Sequence, residues 1–188
     1  EALAIRRELK DLQGIAESLN TIGVIFMERG DNDSARKLWE EALEVATEAG
    51  DRLMEGILLN NIGEAEIELG QLEDAEEHLK QATNISEECG ERRLLFDAIR
   101  NLGVLQAKKG NHGLAIDHVE EALDLARSLG SKVMEGVALR TLGVLQGQTL
   151  FDSSFAGREE AEKNAEQAFR DAIDLFKSLG NESELGRA

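Results

Sequence analysis

The chain repeats itself every 40 residues, and that period constrains its fold more tightly than any other property. Written in blocks of 40 from residue 11, the sequence places Gly23, Gly63, Gly103 and Gly143 in one column. Gly30, Gly70 and Gly110 form a second column, and Ala35, Ala75 and Ala115 a third. Ala2, Ala42, Ala82 and Ala122 form a fourth; in the fifth, Gly50, Gly90 and Gly130 follow Lys10, its one exception. The fourth block, 131–180, is ten residues too long, and allowing an insertion of that length restores its columns at Ala165, Ala172 and Gly180. A fixed period of this size marks supersecondary units that bury a core only by stacking on one another.

Inside each block the apolar spacing is helical. Leu19, Ile22, Gly23 and Phe26 lie three or four residues apart, as do Ala35, Trp39, Ala42 and Val45. The glycines at 30, 70 and 110 separate the two helices of a block. At the block ends, Gly50–Asp51, Gly130–Ser131 and Gly180–Asn181 pair a helix-stopping glycine with a residue that caps the next helix. Each block therefore reads as helix A, tight turn, helix B, tight turn. Gly23 and Ala35 with their equivalents let A and B approach closely, and Trp39, Leu79, Val119 and Phe169 fill the space between. Composition agrees: Pro and Tyr are absent, and 41% hydrophobic with 31% charged residues is the balance of a soluble globular chain.

The motif Leu19-x-x-Ile22-Gly23-x-x-Phe26 followed by Ala35-x-x-x-Trp39-x-x-Ala42 resembles the tetratricopeptide repeat. The frame recurs at Leu59/Ile62/Gly63/Ala75/Leu79/Ala82, at Ile99/Leu102/Gly103/Ala115/Val119/Ala122, and at Leu139/Leu142/Gly143/Ala165/Phe169/Ala172. The closing Pro of the usual repeat is missing and the period is 40 where about 34 is common. Both departures resemble the longer-helix variety of kinesin light chains, Leu-Gly-Asn proteins and large bacterial regulators. The resemblance implies an all-α, right-handed α-solenoid of antiparallel helix pairs. It also implies a non-catalytic module that binds a peptide or partner helix along the concave groove lined by helix A.

The expected organisation is one array over 1–188: a partial repeat at 1–10, repeats at 11–50, 51–90, 91–130 and 131–180, and a partial repeat at 181–188. The last full repeat carries its insertion near 148–158. "EALAIRRELK" matches the tail of a helix B and "NESELGRA" the start of a helix A, so the sequence reads as a segment of a larger protein.

In the family's register the groove-facing stripe holds Asn20, Asn60, Arg100 and Arg140, with Asn61 and Asn101 one residue on. Asparagine amides suit an extended peptide backbone, and arginine grips a carboxylate through two parallel hydrogen bonds. The partner expected is a protein or peptide with an acidic segment. Phe151 and Phe155 in the insertion either cover the local core or form an accessory contact at the groove's lip. The alternatives are self-association through open repeat ends, giving a homo-oligomer, and a sensor for a signal peptide or small ligand.

Other chemistry has little to stand on. His78 and His118 sit 40 apart with Glu77 and Glu121 nearby, and read as solvated histidines carried along by duplication and not as metal ligands. Cys89 has no paired base and reads as a small helix-end residue; a single cysteine also fits a reducing, cytoplasmic compartment. The glycines follow the repeat and not a phosphate-loop spacing, so no cofactor is expected. A net charge of −17 disfavours nucleic acid, and no apolar run reaches the length of a membrane span. The charge is uneven: −6 over 11–50, −9 over 51–90, zero over 91–130 and −2 over 131–180. Such a field orients a partner that is basic at one end and acidic at the other.

Overall fold

The computed structural model describes residues 2–149 and 158–180, and among these it holds nine α-helices and no strand. Phe151, Phe155 and the final partial repeat lie outside the described residues. Helix α1 (Ala2–Leu9) stands before the first pair and packs on α2. The pairs α2 (Leu12–Glu28) with α3 (Asn32–Ala49) and α4 (Arg52–Leu69) with α5 (Leu72–Cys89) are the first two repeats. Helices α6 (Arg92–Lys108) and α7 (His112–Ser128) are the third, and α8 (Lys132–Thr149) and α9 (Arg158–Ser178) the fourth. The fold is all-α, an arrangement of antiparallel helix pairs.

Local chemistry sets where the helices start and stop. The carboxylates of Asp11, Asp31 and Asp51 accept hydrogen bonds from the backbone N–H of Gly14, Ser34 and Met54 at 3.0, 3.1 and 3.0 Å. Each satisfies one of the donors that a helix start leaves unpaired. Helices α3, α4 and α5 end on Gly50, Gly70 and Gly90 in the left-handed conformation. Lys10 takes that same conformation, with φ 54°, at the one place in its column where the repeat lacks glycine. A side chain there costs about 1 kcal/mol. Lys10→Gly should therefore raise the melting temperature by about two degrees, measured by circular dichroism; a fall would show that the lysine side chain contributes more than the backbone loses.

The repeated "MEG" at 54–56 and 134–136 has a structural cause. Glu55 accepts from Arg52 at 2.7 Å, and Glu135 accepts from Lys132 at 2.7 Å and Arg127 at 3.2 Å. The Lys132 hydrogen bond holds the Glu135 carboxyl below its usual range, with Arg127 adding to it. The glycine that follows is crowded: a Cβ on Gly56 would stand 2.8 Å from both Ile85 and Leu94, and one on Gly136 would stand 2.7 Å from Phe176.

The chain divides into two compact units, one up to Asn101 and one from Leu102, with the boundary inside α6. In the first, α2 packs on α3, α3 on α4 and α4 on α5. Trp39 lies over Gly23, and Leu79 over Gly63, where an added Cβ would meet the leucine Cγ at 2.7 Å. In the second, α7 packs on α8 and α8 on α9, Val119 covers Gly103 and Phe169 covers Gly143. Ala35, Ala75 and Ala115, at 0% exposure, are the small partners that allow these approaches.

Candidate functional site

Four asparagines of the first unit form a continuous line of amide hydrogen bonds across α2, α4 and α6. Asn101 Nδ2 donates to Asn60 Oδ1 at 3.0 Å, and Asn60 Nδ2 to Asn61 Oδ1 at 3.4 Å. Asn61 Nδ2 then donates to Asn20 Oδ1 at 3.0 Å. The backbone carbonyl of Asn20 is held in turn by Trp39 Nε1 at 3.2 Å. Asn60 and Asn101 are buried at 6% and 2% exposure, while Asn20 and Asn61 are half-buried. The two bonds between repeats join residues 41 apart, so neighbouring A helices meet one residue off the sequence columns.

Beside this line, α4 and the start of α6 enclose a cavity of about 360 Å³. Leu53, Ile57 and Leu94 form its apolar wall, and Asn60, Asn61, Glu91, Arg93 and Asp97 its polar one. Burial pushes the Asp97 carboxyl up, against the opposing pull of Arg100 and Arg93 and with a further push from Glu64. Arg100 is half-buried, and its Nε is buried without a hydrogen-bond partner.

In the second unit Arg140 lines a cavity of about 460 Å³ formed by α8, the end of α6 and the start of α7. Among the described residues that lining holds Lys108, His112 and Arg140 and no Asp or Glu. Val104, Val144 and Leu145 provide its apolar surface. In a chain with 38 acidic residues and 21 Lys and Arg, a cavity lined by Lys108 and Arg140 with no Asp or Glu among the described residues stands out.

His78 is not the solvated residue the repeat pattern suggests. Its Nδ1 lies 2.7 Å from Oε2 of Glu66, which is 2% exposed, and this hydrogen bond raises the imidazole's proton affinity. The 40-residue period does not show this contact because the partner is not duplicated: Glu66 stands in the column of Phe26, an otherwise large or amide-bearing position (Phe26, Gln106, Gln146). His118 lies only 3.9 Å from its neighbour Glu121. No cluster of three His, Cys, Asp or Glu side chains among the described residues has the geometry of a metal site. Asp97, Lys108 and His112 were also missed; Asp97 had only a weak signal, since its column holds Ile57 and Val137 but also Glu17.

Residues 1–88 match the family model of the tetratricopeptide repeat, and antiparallel helix pairs continue through the described residues beyond it. That stretch, just under half of the chain, is similar to the tetratricopeptide repeat family. The array is similar to a Signal Transduction ATPase with Numerous Domains protein with a tetratricopeptide repeat sensor from Pyrococcus horikoshii. That match has a TM-score of 0.71 and 22% identity, over 94% of this chain and 25% of that one. It is also similar to BtubC (BKLC) from P. vanneervenii, at TM-score 0.68 and 17% identity over 90% of this chain and 66% of that one. Kinesin light chain TPR-like repeats from Podosopora anserina match at TM-score 0.54 and 12% identity, over 91% and 90% of the two chains. At these identities the likeness shows the fold, and the chain spans only a quarter of the ATPase. No curated protein matches the sequence. Tetratricopeptide repeats generally mediate protein–protein interaction and are generally non-catalytic scaffolds. No helix among the described residues is long and apolar enough to cross a membrane.

Proposed function

We propose that this tetratricopeptide array is a non-catalytic interaction module, within a larger cytoplasmic regulator, that takes a peptide or partner helix onto its A helices. The observation that carries the reading is the cavity of Lys108, His112 and Arg140, whose lining holds no Asp or Glu among the described residues of a strongly acidic chain. An acidic segment would be repelled by most of this surface and held at that place, so the charge pattern selects where it docks. Arg140 would grip a carboxylate, and Val104, Val144 and Leu145 would pack the neighbouring side chain. In the first unit Arg100, Asn61 and Asn20 would offer a contact of their own to such a segment, with buried Asn60 and Asn101 holding the amides in place. The tetratricopeptide repeat sensor of the ATPase supports the regulatory setting.

The test is titration with a glutamate-bearing peptide and its glutamine counterpart. Wild type should prefer the glutamate peptide, and Arg140→Glu should lose that preference, weakening binding roughly ten-fold or more. Melting should move by no more than about two degrees, as for an ordinary surface change. Equal affinity for both peptides in wild type would remove the basis of the reading.

A further inference from the structure

We propose that the cavity between α4 and α6 of the first unit is a socket for a basic side chain of the bound partner, with the Asp97 carboxylate as its counter-charge. The proposal rests on the peptide-binding reading but adds a site of opposite polarity, centred on Asp97, which that reading does not use.

Asp97 is the central observation. It lines a walled cavity, yet no hydrogen bond or ion pair closes on its side chain among the described residues. Two arginines stand at spacings that often pair on a helix, Arg93 four residues before it and Arg100 three after. Both act on Asp97 through their charge, but neither forms an ion pair with it. Burial outweighs them, which is the direction expected for a carboxylate short of partners. A partner's guanidinium or ammonium would supply the missing hydrogen bonds at the place where the free protein lacks them.

The rest of the lining selects a cation over an anion. Glu91 joins Asp97 against Arg93 alone, and Glu64 adds a further negative field. The surrounding unit is acidic: residues 1–101 carry 24 Asp and Glu against 11 Lys and Arg. The apolar wall of Leu53, Ile57 and Leu94 suits the methylene stem of lysine or arginine, which buries its carbons while its charged head is paired. The carbonyls of Asn60 and Asn61 each accept one hydrogen bond within the amide line and have capacity for a second.

The experiment uses the full chain and three blocked pentapeptides that differ only in a central arginine, alanine or glutamate. Wild type should bind the arginine peptide roughly ten-fold or more tightly than the alanine one, and Asp97→Asn should erase that difference. Because the substitution removes an unpaired desolvated charge, it should melt no lower than wild type. On adding the arginine peptide, the side-chain amide signals of Asn61 should shift in a heteronuclear spectrum. Arg140→Glu should leave the arginine preference intact while losing the glutamate preference, so the two sites stand or fall separately. An Asp97→Asn variant that keeps the arginine preference would overturn the proposal. So would a lower melting point, which would assign Asp97 to the fold.

Discussion

Leucine in place of Gly63 or Gly103 should lower the stability of the array by about 3 kcal/mol or more, the upper range of overpacked cores. Even the first added carbon is too close: Cβ would stand 2.7 Å from Leu79 Cγ at Gly63, and 2.6 Å from Val119 Cγ2 and 3.0 Å from the Ala115 carbonyl at Gly103. Leucine adds three further carbons. Neither side can yield easily, because Leu79, Val119 and Ala115 are at 0% exposure. At a few degrees per kcal/mol, the melting temperature should fall by about ten degrees. Gly113, near the start of α7, is the control: nothing lies within 4 Å of its would-be Cβ, so Gly113→Ala should be neutral or stabilising. A Gly63→Leu melt within two degrees of wild type would refute the close approach of α4 and α5.

The second large effect is a pH dependence centred on His78. The Glu66 hydrogen bond raises the folded-state proton affinity of His78 above that of a free histidine, while desolvation opposes it and Glu77 and Asp74 assist. A raised folded value means the pair's stabilisation is fully present below about pH 6.5, the ordinary histidine value, and is lost as pH rises through the higher folded one. Melting temperature should accordingly fall as pH rises above about 6.5, and Glu66→Gln should flatten that slope. His78→Ala should be worse than flat. It strands the Glu66 carboxylate, whose side chain is 3% exposed, and should cost about 2 kcal/mol at pH 6. A Glu66→Gln variant with the wild-type slope would place the titration elsewhere.

The helix pairs were legible in the sequence because a 40-residue period registers every backbone-level requirement at once. Gly50 and Gly90 had to sit where the chain turns left-handed, Asp51 where a helix begins, and Ala35 and Gly23 where two helices touch. These are demands of a repeated backbone, so each recurs and each can be counted. The polar chemistry is harder to read, because it depends on residues that break the repeat. Columns place Asn20 with Asn60, but the amide of Asn20 meets Asn61, one residue on, because adjacent A helices are offset. Columns also cannot give depth: Asn60 and Asn61 are consecutive, and only the first is buried. Glu66 is a single departure from its column, Asp97 shares an acidic charge in its column only with Glu17, and their partners come from other helices or from none.

The amide line has a direction. Every bond in it runs from a nitrogen on the Asn101 side to an oxygen on the Asn20 side, so turning any one amide over would set donor against donor and acceptor against acceptor. Asn60 and Asn61 receive from the repeat after them and give to the repeat before them, a duty no other block could perform, since none has two adjacent asparagines at that place. The 40-residue units share one backbone plan yet are not interchangeable. An array rebuilt with its second and fourth repeats exchanged would keep every helix and every glycine contact within its pairs, while leaving the buried amide of Asn101 facing Arg140 and Thr141 in sequence register. Shuffling is permitted by the core and forbidden by a single file of asparagines.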